Sequence, residues 1–264
     1  MSFLDPIFNP VFQPLLRTIG PLWTIVLIAI IYSVYATVVY KYLTNQSRLK
    51  EIKDRQKELQ KELRAAGKEN PDRMMKIHGE LMSLNKDYMF QASFKPKVMI
   101  ATMIPALILF TWMAGSLAYD PIAPDQTYSV IATFAPGVSG EAQLVPDQGT
   151  QVVGNTTGAI VPGEDGGITR WNLKSSEGMH NLSVIANEQS QSKEVLVVVD
   201  EHRYASAVAS FPKSDIRSIS IEYNKLKPLG ETFNLFGWYP GWLGLYVILS
   251  LILSIGLRKV FKVY

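Results

Sequence analysis

Ser33, Thr37 and Lys41 stand four residues apart near the end of an otherwise apolar run. Ser250, Ser254 and Arg258 repeat the arrangement near the end of another. On a helix that spacing puts each trio on one face. Thr102, in a third apolar run, falls at a similar depth. Hydroxyls and cations in this pattern do not suit bond-breaking chemistry. They suit hydration: polar groups facing lipid are costly, so they turn toward protein or water. Together they would line a shallow hydrophilic groove open to the cytoplasm. A plainer account also fits, in which Ser and Thr pack helices while Lys41 and Arg258 reach out to lipid headgroups.

A second pattern is a methionine stripe. Met75, Met82 and Met89 are seven apart, with Met74, Met99 and Met103 nearby. Flexible thioethers suit a surface that meets varied apolar segments, and equally a loosely packed core or membrane surface.

Signals for catalysis fail. Gly149-Thr-Gln-Val-Val-Gly154-Asn155-Thr156 approaches a phosphate-binding loop but lacks its lysine. His78, His180 and His202 form no ligand pair, and there are no cysteines. That removes disulfides, thiol nucleophiles and Cys-ligated metals. The expectation is therefore a protein that is not an enzyme, with no cofactor and no metal. Asn155-Thr-Thr and Asn181-Leu-Ser are N-glycosylation triplets of a kind that also arises by chance.

The elements that would hold these residues are hydrophobic spans. Among 264 residues, Pro21–Tyr40, Val98–Tyr119 and Trp238–Leu257 contain no Asp, Glu, Lys, Arg or His. Each has roughly the 20 residues a hydrocarbon core requires. Thr44–Lys97 carries 13 Lys and Arg against 8 Asp and Glu, whereas Asp120–Gly237 carries 8 against 14. Arg258, Lys259 and Lys262 follow the third span. The positive-inside rule then predicts a multi-pass protein of the cell membrane: N-terminus out, basic segment in, acidic region out, C-terminus in. The absence of acidic residues in the spans argues against a proton- or cation-coupled transporter.

Between the first two spans the apolar spacing alternates three and four. Leu49, Ile52, Gln56, Leu59, Leu63 and Ala66 form one seam, and Met74, Ile77, Leu81, Leu84, Tyr88 and Gln91 a second. This predicts an antiparallel cytoplasmic helical hairpin of coiled-coil type. Gly67 would end its first helix, with Asn70 and Pro71 starting the second. The segments predicted are an outer interfacial stretch at 1–20, interrupted by Pro6, Pro10 and Pro14, a first span at 21–43, and the hairpin at 44–97. A second span at 98–119, an extracytoplasmic domain at 120–232, and a third span with a short tail at 233–264 follow. In the outer domain, Thr127–Phe134, Gln151–Val153, Ile168–Lys174, Asn181–Ala186, Glu194–Val199 and Ser218–Tyr223 read as strands of an antiparallel β-sandwich. Trp171 is its expected core aromatic, and His180–Asn187 with Ser192–Val199 its expected hairpin.

This order of elements resembles the core of the YidC/Oxa/Alb membrane protein insertase superfamily, and most of all its archaeal YidC-like branch. The resemblance rests on Phe94-Lys-Pro-Lys-Val-Met-Ile-Ala-Thr-Met-Ile-Pro105 entering the second span. It rests also on Phe236-Gly-Trp-Tyr-Pro-Gly-Trp-Leu-Gly244 entering the third and Ser254-Ile-Gly-Leu-Arg-Lys259 leaving it. It covers roughly residues 1–119 and 230–264. The resemblance implies a nucleotide-independent insertase whose groove (Ser33, Thr37, Thr102, Ser250 and Ser254, with Lys41 and Arg258 at the mouth) shortens the apolar barrier for a polar tail. It implies nascent membrane proteins and the lipid bilayer as partners, with a ribosome docking on the hairpin and no specific nucleic-acid sequence. Three spans are few to enclose a cavity, so a small membrane partner subunit is compatible. The alternative class is a three-span anchor or receptor displaying a sandwich outside and a hairpin inside.

Overall fold

The computed structural model describes residues 4–66, 71–92, 95–163, 166–234 and 236–263. The expected Gly67 and Asn70 signals, and Phe94, lie outside them. Five helices are described: α1 (Asp5–Leu43), α2 (Gln46–Ala66), α3 (Pro71–Ala92), α4 (Pro96–Leu117) and α5 (Trp242–Val260). Ten strands lie between α4 and α5. Three helices, α1, α4 and α5, are long and apolar enough to cross a membrane. This is an integral membrane protein with three candidate spans and a mostly antiparallel β-region. The chain divides into two compact units, one of residues 1–24 with 111–242 and one of 25–110 with 243–264.

In the first unit, β1 (Tyr128–Phe134), β3 (Thr150–Val152), β5 (Val161–Gly163), β6 (Gly166–Ser175), β9 (Val208–Ser210) and β10 (Ile216–Glu222) form one sheet. The other contains β2 (Glu141–Val145), β4 (Thr157–Ala159), β7 (Gly178–Ala186) and β8 (Gln189–Val197), in the order β4-β2-β7-β8. Strict alternation in β6 turns Thr169, Trp171 and Leu173 inward. Trp171 and Leu173 join Val130, Phe134 and Ile219 of their own sheet and Leu144, Leu182, Val184 and Val195 of the other in one buried core. Trp171 is 3% exposed there, and its indole donates to the Thr156 carbonyl at 2.9 Å. Residues Asn187 and Glu188, both with positive φ, close the β7–β8 hairpin as a two-residue turn. Gly166 is obligatory for another reason. Its φ is +125°, and a Cβ would lie 2.1 Å from the Phe134 carbonyl oxygen.

Four strands gave no sequence signal. β4, β5 and β9 are three residues long, and β2 turns only Ala142 and Leu144 inward. Asp147, after β2, ties the sandwich end together. It accepts hydrogen bonds from the Asn181 N–H at 2.9 Å and the Thr150 hydroxyl at 3.0 Å, and it meets His180 Nδ1 at 3.0 Å.

Of the stretch at 1–20, residues 5–19 open α1, with Pro10 and Pro14 inside the helix. Packing overrides their poor helical propensity. Phe8 and Phe12 stack against Trp112, whose indole donates to Asn9 at 2.9 Å. The Gln13 amide both donates to and accepts from the His202 backbone, and Arg17 pairs with Glu201. A kink follows at Gly20, with φ 77° and ψ 172°. The third helix also starts later than the predicted span. Pro240 and Gly241 hold off helix formation until Trp242, leaving Trp238 and Tyr239 in the approach.

In the second unit α2 lies against α3. Arg55 pairs with Glu80, the Gln56 amide donates to Asn85 at 2.8 Å, and the Lys53 ammonium sits over the Tyr88 ring. These pairings run in opposite chain directions, so the two helices are antiparallel. Leu49, Ile52, Leu59 and Ile77 are buried along the seam.

Burial pushes the Asp147 carboxyl upward, but its hydrogen bonds from Asn181, His180 and Thr150 outweigh that and hold it below the usual range. A depressed carboxyl stabilises the fold above its unfolded pKa, and that stability fades as pH falls through the folded value. Thermal unfolding of the solubilised protein should therefore lose stability below about pH 4. Asp147→Asn should be less stable at neutral pH and show a flatter acid decline. Parallel pH profiles for the two proteins would contradict this role.

Candidate functional site

Within the second unit, α1, α4 and α5 surround a cavity of about 490 Å³. Ser33 and Thr37 of α1, Thr102 of α4, and Ser250, Ser254 and Arg258 of α5 all line it. Six of the seven residues singled out by spacing thus meet at one place. Lys41 is exposed and does not line the cavity. Four-residue spacing does not decide this by itself, since Arg258 stands the same two steps from Ser250, and Tyr40 the same two from Tyr32, and both line the cavity. Tyr40 takes the position instead.

Sequence reasoning missed Tyr32, Ala36, Tyr40, Val98, Met99 and Met103, which complete the lining. A signal existed for three of them. Tyr32, Ala36 and Tyr40 repeat the four-residue spacing one position before Ser33, Thr37 and Lys41, so the cavity face is a double stripe.

The polar groups of the lining are satisfied to different degrees. The Thr37 hydroxyl donates to the Ser33 carbonyl at 2.7 Å, and Thr102 donates to the Val98 carbonyl at 2.8 Å. Both are bonds back to the preceding turn, which leave the hydroxyl oxygen able to accept. Among the described residues, the buried Ser250 hydroxyl finds no partner on a neighbouring helix. The Arg258 guanidinium lies 5.0 Å from the centre of the Tyr40 ring, a cation–π contact. Arg258 is the one charged residue among those lining the cavity.

Pro105 organises the α1–α4 wall. With no N–H, it cannot bond the carbonyl of Ala101, one turn earlier. The Tyr35 hydroxyl of α1 donates to that oxygen at 2.7 Å. Tyr32 donates to the adjacent Thr102 carbonyl at 2.8 Å. Tyr35 therefore supplies the donor that Pro105 withholds, Tyr32 bonds the next carbonyl, and the two join α1 to α4 on one side of the cavity. On the α5 side, the Phe110 ring meets Tyr246 edge-on at 5.0 Å.

Tyr40, Leu49, Val98 and Val263 form a small buried cluster flanked by Tyr88 and Phe261. It draws together α1, α2, α4, the end of α3 and the chain just beyond α5, next to Arg258. Met75, Met82 and Met89 stand apart from the cavity on an exposed face of α3, at 71%, 60% and 51% exposure. Met99 and Met103, by contrast, belong to the cavity wall.

With this geometry in view, comparison with known families adds one finding. Residues 9–136 match the model of the EMC3/TMCO1-like integral membrane proteins. That family is related to the YidC/Oxa/Alb insertase superfamily. The matched stretch runs from α1 through α4 and ends just after β1. It leaves out the remaining strands and α5, although the resemblance read from sequence included residues 230–264. No curated protein and no solved structure matches the chain.

The Pro105–Tyr35 relation makes a double-mutant prediction. Tyr35→Phe should destabilise the solubilised protein by about 1 kcal/mol, the usual net worth of such a bond. In a Pro105→Ala background, which restores the helical donor to Ala101, the same change should cost markedly less. Equal costs in both backgrounds, measured by thermal or denaturant unfolding, would contradict the assignment.

Proposed function

We propose that the protein is a membrane protein insertase of the archaeal YidC-like branch, working without nucleotide. The observation that carries this reading is the convergence of hydroxyls from three candidate spans on one cavity, in a chain whose first half matches an insertase-related family. The orientation proposed puts α2, α3 and the C-terminus in the cytoplasm and the β-region outside, in the cell membrane. It follows from the charge asymmetry of the loops.

In this mechanism the cavity opens to the cytoplasm and to lipid. A charge at the centre of a bilayer costs several kcal/mol. Ser33, Thr37, Thr102, Ser250 and Ser254 would offer hydrogen bonds to the water or peptide groups of a short polar tail as it crosses. Its hydrophobic segment then partitions sideways into lipid. Arg258, held over Tyr40, stands at the mouth. The Met75, Met82 and Met89 face would receive apolar nascent segments, since unbranched thioethers adapt to varied shapes. The excess of Lys and Arg in 44–97 suits docking to a ribosome through its phosphates. A small membrane partner subunit would close the cavity's open side.

The test is site-specific photocrosslinking with stalled ribosome–nascent chains bearing one hydrophobic segment. Probes at Ser33, Ser250 and Met82 should capture the chain. Probes at Ile31 and Leu251, exposed on the outer faces of the spans at 56% and 60%, should not. Capture at none of the first three by a correctly folded protein would reject the groove and favour the anchored-receptor reading.

A further inference from the structure

Two N-glycosylation triplets occur in the β-region, and their structural settings differ. Asn181 lies within β7, which is bonded to β2 on one side and β8 on the other. Its backbone N–H is held by Asp147, it pairs in register with Glu194, and the hydroxyl of Ser183 is bonded to that of Ser192. A transferase must grip the Asn side chain and the hydroxyl two residues on, within one exposed, bent segment. Asn181 reaches that state only if β7 leaves the sheet.

Asn155 needs no such rearrangement. It follows Gly154, which has a φ of +111°, and it lies in the connection between β3 and β4. Asn155, Thr156 and Thr157 are all exposed. The Thr156 carbonyl is pinned by the Leu144 N–H at 2.8 Å and the Trp171 indole at 2.9 Å. The segment is thus anchored by its backbone while both recognised side chains stand out from the surface. Thr157 opens β4, an edge strand paired only with β2.

We propose that Asn155 carries an N-linked glycan and that Asn181 does not. The donor class is a lipid-linked saccharide. The amide nitrogen of Asn155 forms a bond to the anomeric carbon, and that carbon's bond to the lipid phosphate oxygen breaks. The phosphate leaves with the electron pair, and an amide proton passes to a base of the transferase. The attached sugar covers the free edge at β4, shielding unpaired strand groups from other chains. The proposal rests on the outward placement of the β-region given above.

The test uses full-length protein from the membranes of its own cells. Peptide mass spectrometry should find saccharide mass on the Asn155 peptide, none on the Asn181 peptide, and no modification at that site in Asn155→Gln. Because the chain has no cysteines, Glu177→Cys and Ser83→Cys can each be labelled in intact cells with an impermeant maleimide. Labelling of Glu177→Cys alone, with a bare Asn155 peptide, overturns the glycan and leaves the orientation standing. Labelling of Ser83→Cys alone overturns both. A glycan on Asn181 in place of Asn155 overturns the structural argument that separates them.

Discussion

A polar group inside a bilayer has no bulk water to turn to, so it must find a partner in the protein or bring water with it. In the unit built from α1, α4 and α5, Pro105 raises this problem directly. It removes a backbone donor from the middle of a span, and Tyr35 answers with a hydroxyl from α1, while Tyr32 bonds the next carbonyl. The junction satisfies the freed Ala101 carbonyl and holds α1 beside α4 at the depth of Thr102. The cavity forms next to it, where Ser33, Thr37 and Ser250 gather. A proline in a span is thus partnered by a neighbouring helix, and the same helix supplies hydroxyls that line the cavity.

The cluster of Tyr40, Leu49, Val98 and Val263 extends this order to α2 and α3. Arg258 over Tyr40 sits beside it. Any motion of the α2–α3 pair about its base must pass through these side chains. Tyr40, which belongs both to the cluster and to the cavity wall, is where the two meet.

Much of this was readable from residue types and spacing. Three spans follow from charge-free runs of sufficient length. The strands with clear alternation, β1, β6, β7, β8 and β10, follow from period-two patterning, and Trp171 stands in the core as expected. The grouping of Ser33, Thr37, Ser250, Ser254 and Arg258 came from four-residue spacing alone. Lys41 is exposed and does not line the cavity, where its neighbour Tyr40 does. The helical course of residues 5–19 was hidden because it depends on distant partners, namely Trp112, Glu201 and His202. Short strands such as β4 and β9 were hidden because three residues carry no period. The tyrosine donors were hidden because the need they meet arises on another helix.

The central claim is that the space between the spans is wet. The most direct measurement is thiol reactivity, since only a hydrated cysteine ionises to the reactive thiolate. Ser33→Cys, Ser250→Cys and Ser254→Cys would each be made in the naturally cysteine-free chain. A small charged thiosulfonate would then be added to open membranes. The account predicts reaction roughly tenfold or more faster at these positions than at Ile31→Cys and Leu251→Cys, which face outward from the spans. Uniformly slow reaction at all five positions would mean a dry, close-packed bundle and would contradict it.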